Sequence, residues 1–427
     1  MTQQHRSMGL LGAISIGIGG MVGGGIFAVL GEAVSLAHGA TAVAFLFAGS
    51  VALLTSYAYA KLSVAYQNRG GTVVFIDHAF GHDLLSSSVN VMLWLSYLVT
   101  IALYASAFAA YGQTFFSGGY NPWLAHILIS GVIICAAVIN VVSVSFVSKS
   151  EFTMVLIKVL LLILIVVVSL PYVSMDKIAP THWESPLTIV TAGMIIFVAY
   201  EGFELIANAA EDIKNPTSNL PKAFYISTVL VIALYVLISI VTVGVVPEAQ
   251  LMQAKDYALA IAAKPALGDV GFTIVSVAAL LSTFSAINAT IYGNARLGYF
   301  LAKEGDLPQL LGTEKRNIPS FDILVITLFS LLLANTIELT EIAIIGSAGF
   351  LLIFAIVNIA AYKLVDDIQG NKPLLILAVL ASVSALITLL IYTYTHNPQA
   401  ILVFALFVLI SIVFELFYGR LVRKKFL

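Results

Sequence analysis

The chain has 427 residues, 60% of them hydrophobic and only 10% charged, with a mean hydropathy of +1.02, whereas soluble domains carry about 25% charged residues. That composition excludes a protein whose main solvent is water. The net charge of -2 offers no basic surface to nucleic acid, and the single cysteine, Cys135, lies in an apolar run and argues against a disulfide framework or a metal site.

Apolar stretches near or above the roughly 20 residues that cross a bilayer as a helix recur from end to end, and twelve are counted. The first, over 10–37, follows eight polar residues, lacks a small-residue cleavage site and is too long for the apolar region of a signal peptide, so it reads as a retained helix. The others run over 39–67, 84–117, 122–142, 150–171, 187–211, 219–246, 268–303, 321–336, 340–363, 374–393 and 399–419. Two connections exceed a turn: a short amphipathic segment over 70–83, and a longer one over 248–267 that carries Pro265.

Gly17, Gly19, Gly20, Gly23, Gly24 and Gly25 fall within nine residues of the first span, and each glycine in an ordinary helix interior costs up to about 1 kcal/mol relative to alanine. Gly19 and Gly23 fit a small-residue packing pair. Three consecutive glycines cannot all face one neighbour, because successive helical residues point about 100° apart, so Gly23–Gly25 predicts local unwinding.

In the fifth span Lys158 stands alone in the apolar run 154–161, about 10 to 13 Å from the end of the helix at 1.5 Å per residue. It reads either as a snorkelling base or as a functional charge. The sixth span carries Glu201 and Glu204 flanking Gly202 and Phe203 at membrane depth, where acids normally line a cavity or pair with a base. Arg296, late in the eighth span, reads as an inner-gate residue or a headgroup contact. Asn140, Asn288, Asn294 and Asn358 read as partners in hydrogen bonds between helices.

Fifteen of the twenty Lys and Arg fall on the side of the N-terminus, among them Arg6, Arg69, Lys149, Lys214, Lys222, Lys315, Arg316, Lys372 and the 423–425 tail. Lys177, Lys255 and Lys264 fall opposite. By the positive-inside rule both termini are cytoplasmic. The breaks near Gly24 and Gly202 each open a group of five spans entering from opposite sides, the trace of an inverted repeat whose paired broken helices mark the binding site of a secondary transporter. A break leaves N–H groups free at the start of one half-helix and carbonyls at the end of the other, and a zwitterionic amino acid fits both.

On Gly23, Gly24, Gly25, Ile26 and Phe27, on the stretch from Phe197 through Glu204 to Pro221, and on 301–308, the chain resembles the amino acid-polyamine-organocation (APC) superfamily through all twelve spans. Residues 288–293 make it most similar to the family's broad-specificity, proton-coupled members. The resemblance implies an all-α integral membrane fold of twelve transmembrane helices: a 5+5 inverted repeat with broken helices 1 and 6, over 1–171 and 172–363, and two C-terminal helices with a tail over 364–427. It further implies that the amides of Gly23–Gly25, with Ile26 beside them, receive the substrate carboxylate. Carbonyls around Val198, Ala199 and Glu201 receive its amino group, and Phe203 is an aromatic lid. Lys158 matches the place where sodium-coupled relatives hold a cation, which gives it carbonyls near Gly17 to Gly20 and hydroxyls from Ser282, Thr283 or Ser285 as neighbours.

The expectation is therefore a secondary transporter that imports amino acids by proton symport through Lys158, with Glu204 as a second proton carrier and no cofactor or metal. An ion-independent exchanger of amino acids or polyamines is the alternative. A channel or a membrane-embedded enzyme is disfavoured by scattered histidines, and the absence of a phosphate-binding glycine loop disfavours primary active transport. The acids Glu201 and Glu204 depart from the most similar family members and leave substrate choice open. The expected setting is a prokaryotic inner membrane.

Overall fold

A computed structural model describes residues 6–116, 121–142, 144–314 and 318–422. Of the bases counted for orientation, the side chain of Lys149, Lys315, Arg316 and the 423–425 tail lie outside the described residues. The described residues form sixteen α-helices and no strand. In chain order the helices are α1 Leu10–Met21, α2 Gly25–Ala37, α3 Thr41–Ala65, α4 Thr72–Phe80, α5 Leu84–Gln113, α6 Pro122–Val142, α7 Val144–Ser169 and α8 Pro186–Ile195. They continue with α9 Leu205–Asn208, α10 Pro216–Val245, α11 Glu248–Gln253, α12 Ala258–Glu304, α13 Ser320–Thr336, α14 Leu339–Lys363, α15 Lys372–His396 and α16 Pro398–Leu421.

Ten helices, among the described residues, are long and apolar enough to cross a bilayer. The pair α1 and α2, bent by 47°, supplies an eleventh span, and α13, 17 residues long, a shorter twelfth. Only helices satisfy every backbone group inside their own segment, which is why a chain of this composition is helical throughout. The sixth span is α8, a tight turn over Ile196–Tyr200, and α9. The connection over 248–267 is helical too: α11 and the start of α12 precede Gly268, whose φ of +63° separates that segment from the span beyond it. Helix ends carry ordinary signals, such as the Asp83–Ser86 capping box on α5 and left-handed Gly305 closing α12.

The broken spans occupy the centre, where α2 packs against α3, α5, α8 and α12, and α1 against α7, α9 and α10. The periphery is apolar and exposed, as at Leu156 and Leu160 on α7, Leu380 on α15 and Leu402 on α16. The asparagines join helices. Asn140 donates to the Asn288 side chain at 2.8 Å, Asn294 to the Trp94 carbonyl at 3.2 Å, and Asn358 to Thr55 and Ser382 at 3.1 Å each. Arg296 is exposed, with its guanidinium 5.3 Å from the Tyr292 ring centroid.

On the N-terminal face α4 forms the short segment expected over 70–83. Its Asp77 accepts from Asn90 at 3.2 Å, and Asn90 also donates to buried Asp306 at 3.0 Å. Burial and the Asp306 carboxylate push Asp77 up from 3.8 to about 6. The folded protein therefore holds a proton that the unfolded chain releases. The stability this gives is fully present below the unfolded value and is lost as pH rises through about 6. Asp77→Asn, which keeps an acceptor for Asn90, is expected to raise the melting temperature at neutral pH and to flatten its change between about pH 4 and 6. Thermal unfolding in detergent across that range measures it, and an unchanged profile would contradict the assignment.

Candidate functional site

The chain leaves the helix at Val22, Gly23 and Gly24 between α1 and α2, and again over Glu201–Glu204 before α9. The two breaks touch. A Cβ on Gly20 would lie 2.6 Å from the Gly202 carbonyl oxygen, and one on Gly202, whose φ is +119°, would lie 2.6 Å from the Gly20 Cα. Only two residues without side chains allow backbones this close. The other glycines of the first span meet different neighbours: Gly17 meets Ser227 and Ile206, Gly23 meets Ala286, Gly24 the ring of Tyr104, and Gly25 Ala199.

The start of α2 leaves the N–H groups of Gly25, Ile26 and Phe27 without a partner inside the helix, and Ile26 and Phe27 are buried. The Ser282 hydroxyl donates to the Val22 carbonyl at 3.2 Å and also reaches the Gly23 carbonyl. Opposite, Val198 donates its N–H to Ser347 at 2.9 Å, and the Ser347 hydroxyl donates to the Ile195 carbonyl at 2.6 Å. The Tyr235 hydroxyl lies between the breaks, 2.6 Å from the Met21 carbonyl and 3.2 Å from that of Ala199.

Both acids of the sixth span are buried and engaged. Tyr97 donates to Glu204 Oε1 at 3.0 Å, the Gly202 N–H to Glu204 Oε2 at 2.7 Å, and Tyr104 to Glu201 Oε2 at 3.3 Å. Tyr97 and Tyr104 are seven residues apart on α5 and so lie on one face, about 10 Å apart along the axis. Phe203 packs on Tyr59 and Phe354, at ring centroid distances of 5.5 and 5.1 Å, within an aromatic cluster. The ring against Gly24 belongs to Tyr104. Tyr97, Tyr104, Tyr235 and Ser347 were not singled out from the sequence. The seven-residue spacing of Tyr97, Tyr104 and Tyr111 along one apolar helix was the available signal.

Lys158 is 5% exposed, and its ammonium donates to the Gly19 carbonyl at 3.1 Å, inside the Gly17 to Gly20 stretch named above. α7 packs against both α1 and α12, so this side chain joins the first span to its neighbours at the level of the break. Of the named hydroxyls, Ser282 turns to the break itself, while Thr283 donates to the Ala279 carbonyl of its own helix at 2.7 Å. Ser285 is half-buried.

Hydrogen bonds and ion pairs tie residues together on both sides of the broken spans. On the N-terminal face Met8 donates its N–H to the Asp212 carbonyl and accepts from the Lys214 N–H, bracketing Ile213, Arg6 reaches the Ile213 carbonyl and Gln67, and Arg69 pairs with Glu211 and Asp212 at 3.4 and 3.2 Å. On the opposite face Lys255 pairs with Glu32 of α2, and Thr340 of α14 donates to Glu32 at 2.9 Å. Beside this latch lies a cavity of about 820 Å³ lined in part by Gln113, Asp256 and Glu338.

Residues 8–417 match the family described as amino acid permease. The chain is 31% identical to an uncharacterized protein of Methanocaldococcus jannaschii over 100% of its own length and 98% of the relative's. It is also 31% identical to the inner membrane transport protein YbaT of Escherichia coli, over 93% of each chain. With the branched-chain amino acid permease BcaP of Bacillus subtilis it shares 24% identity over 84% of its length and 81% of the relative's.

Proposed function

The chain belongs to the amino acid permease family, and on that premise we propose that it is a secondary transporter that imports amino acids together with protons by alternating access. The observation that carries the reading is the meeting of two broken helices at Gly20 and Gly202 in the buried centre of a membrane protein. The N–H groups at the start of α2, which have no partner inside that helix, suit a carboxylate, and the carbonyls of the opposite break suit an ammonium. We place the first repeat over 1–171 and the inverted second over 172–363, with both termini cytoplasmic. In that frame the latch of Arg6, Arg69, Glu211 and Asp212 is the inner gate, and that of Glu32, Lys255 and Thr340 the outer gate. The similarity to an inner membrane transport protein of Escherichia coli supports an inner membrane setting.

Lys158 is the proposed proton carrier. Its buried ammonium donates to the Gly19 carbonyl of the first span, so the charge on this side chain and the position of that span are linked. Loss of the proton toward the cytoplasm releases the span and lets substrate follow. Glu204 is the second proposed carrier.

Labelled amino acid uptake into proteoliposomes separates symport from exchange. A symporter concentrates substrate in empty vesicles when the outside is made acidic, whereas an obligatory exchanger takes up label only into vesicles preloaded with substrate. Accumulation confined to preloaded vesicles would sink the symport reading.

A further inference from the structure

We propose that His38 is a proton-dependent clasp on the outer face: charged, it holds the outer ends of the first and sixth spans to the 248–267 connection through Glu184 and Glu248, and neutral, it lets that face part. The inference rests on the alternating-access reading and on the orientation with both termini cytoplasmic, and it adds an outer contact that external pH controls.

His38 ends α2 in a left-handed conformation, with a φ of +47°. Its N–H still donates to the Val34 carbonyl at 2.9 Å, and the N–H of Gly39 donates to the His182 carbonyl at 3.2 Å, which joins the end of the first span to the segment that leads into α8. His38 and Trp183 pair there as an isolated antiparallel bridge. The imidazole lies between two acids. Its Nε2 is 3.5 Å from Oε1 of Glu184, just before α8, and its Nδ1 is 2.5 Å from Oε1 of Glu248, the first residue of α11. The Nδ1 contact is an ion-pair contact rather than an aligned hydrogen bond, and that nitrogen is buried. One ring thus meets three segments that alternating access requires to move.

A neutral imidazole has one N–H and one lone pair, and only the imidazolium is a donor at both nitrogens. With a carboxylate beside each nitrogen, a neutral ring would turn its lone pair toward an anionic oxygen. The arrangement is therefore complete only when His38 is charged, and histidine changes charge between about pH 5 and 8. The other charged groups of this face have contacts of their own: His182 lies 3.8 Å from Asp176, the Lys177 ammonium donates to the Val245 carbonyl at 2.9 Å, and Lys255 pairs with Glu32 earlier on α2. Among the described residues no Lys or Arg pairs with Glu184 or Glu248. Loss of the His38 proton leaves these two carboxylates with no cation between them. Both are about half exposed, so each pair is weak by itself, which suits a contact that opens in every cycle. External acid then favours closure of the outer face, and alkaline conditions favour its opening.

Spin labels at Leu187→Cys on α8 and Met252→Cys on α11, both exposed positions, in a Cys135→Ser background report the separation of these segments in the reconstituted protein with no substrate present. The distance is expected to shorten as pH falls from about 8 to about 5. His38→Gln is expected to abolish that shift, and His182→Gln to keep it. Glu248→Gln, which removes one acid and leaves the histidine, is expected to abolish it as well. A distance that does not respond to pH when His38 is present, or a response that persists in His38→Gln, overturns the proposal. Thermal unfolding in detergent checks that each variant is folded, and Glu248→Gln decides the matter by the same outcomes if His38→Gln does not fold. Amino acid uptake is measured separately. A His38-dependent shift in a protein that takes up no amino acid overturns the transport reading and leaves the clasp standing.

Discussion

Gly202→Ala is expected to abolish uptake and to leave little folded protein. The added methyl would lie 2.6 Å from the Gly20 Cα and 2.6 Å from the Met21 nitrogen, both backbone atoms that no side-chain rotation removes, at a φ of +119° that side-chain-bearing residues rarely adopt. Strain of this kind costs about 1–3 kcal/mol and overpacking about 1–3 more, a large share of the roughly 5–15 kcal/mol that holds a typical protein folded. Gly293→Ala is the matched control. Its Cβ would meet nothing within 4 Å in the same membrane core, and alanine favours the helix by up to about 1 kcal/mol, so that variant is expected to fold and transport normally. Size-exclusion profiles in detergent and uptake in proteoliposomes compare the two. Normal transport by Gly202→Ala would contradict the contact between the breaks.

Lys158→Ala is expected to remove accumulation driven by a pH step. The variant deletes the ammonium that meets the Gly19 carbonyl at 3.1 Å, and a hydrogen bond from a charged group contributes about 1.5–3 kcal/mol, equivalent to a tenfold to hundredfold shift in the equilibrium it biases. Lys158→Arg separates charge from proton exchange. An arginine keeps the positive charge and does not release its proton in this pH range, so accumulation driven by pH should fail in both variants. Exchange in preloaded vesicles, which needs no proton cycle, should suffer less than accumulation. Intact accumulation in Lys158→Arg would show that this position does not carry the coupling proton.

The sequence made the spans and the first break legible because lipid allows few solutions. Each crossing needs its run of apolar residues, and the triple glycine 23–25 has no packing explanation on one helix. The second break was legible from Glu201, Gly202 and Glu204 for the same reason, since acids at that depth need a purpose. The side chains that fill the central region were not legible. A tyrosine in an apolar helix reads as an interface anchor or as packing, and nothing local tells Tyr235 that its hydroxyl will reach the Met21 and Ala199 carbonyls. Ser347, which donates to the Ile195 carbonyl, is one small residue in the apolar run of α14. The Tyr104 ring beside Gly24 likewise depends on how α5 is rotated. The outer latch depends on the fold of the 248–267 connection, which brings Lys255 to Glu32 across more than two hundred residues of chain.

The central claim, that amino acid and proton cross together, is tested most directly by proton movement. A pH-sensitive dye is trapped in proteoliposomes with no gradient of any kind, and the best-transported amino acid is added outside. Import with a proton predicts that the lumen acidifies as label enters, and that Lys158→Ala vesicles show no acidification. Entry of label into wild-type vesicles with the lumen pH unchanged would contradict the account.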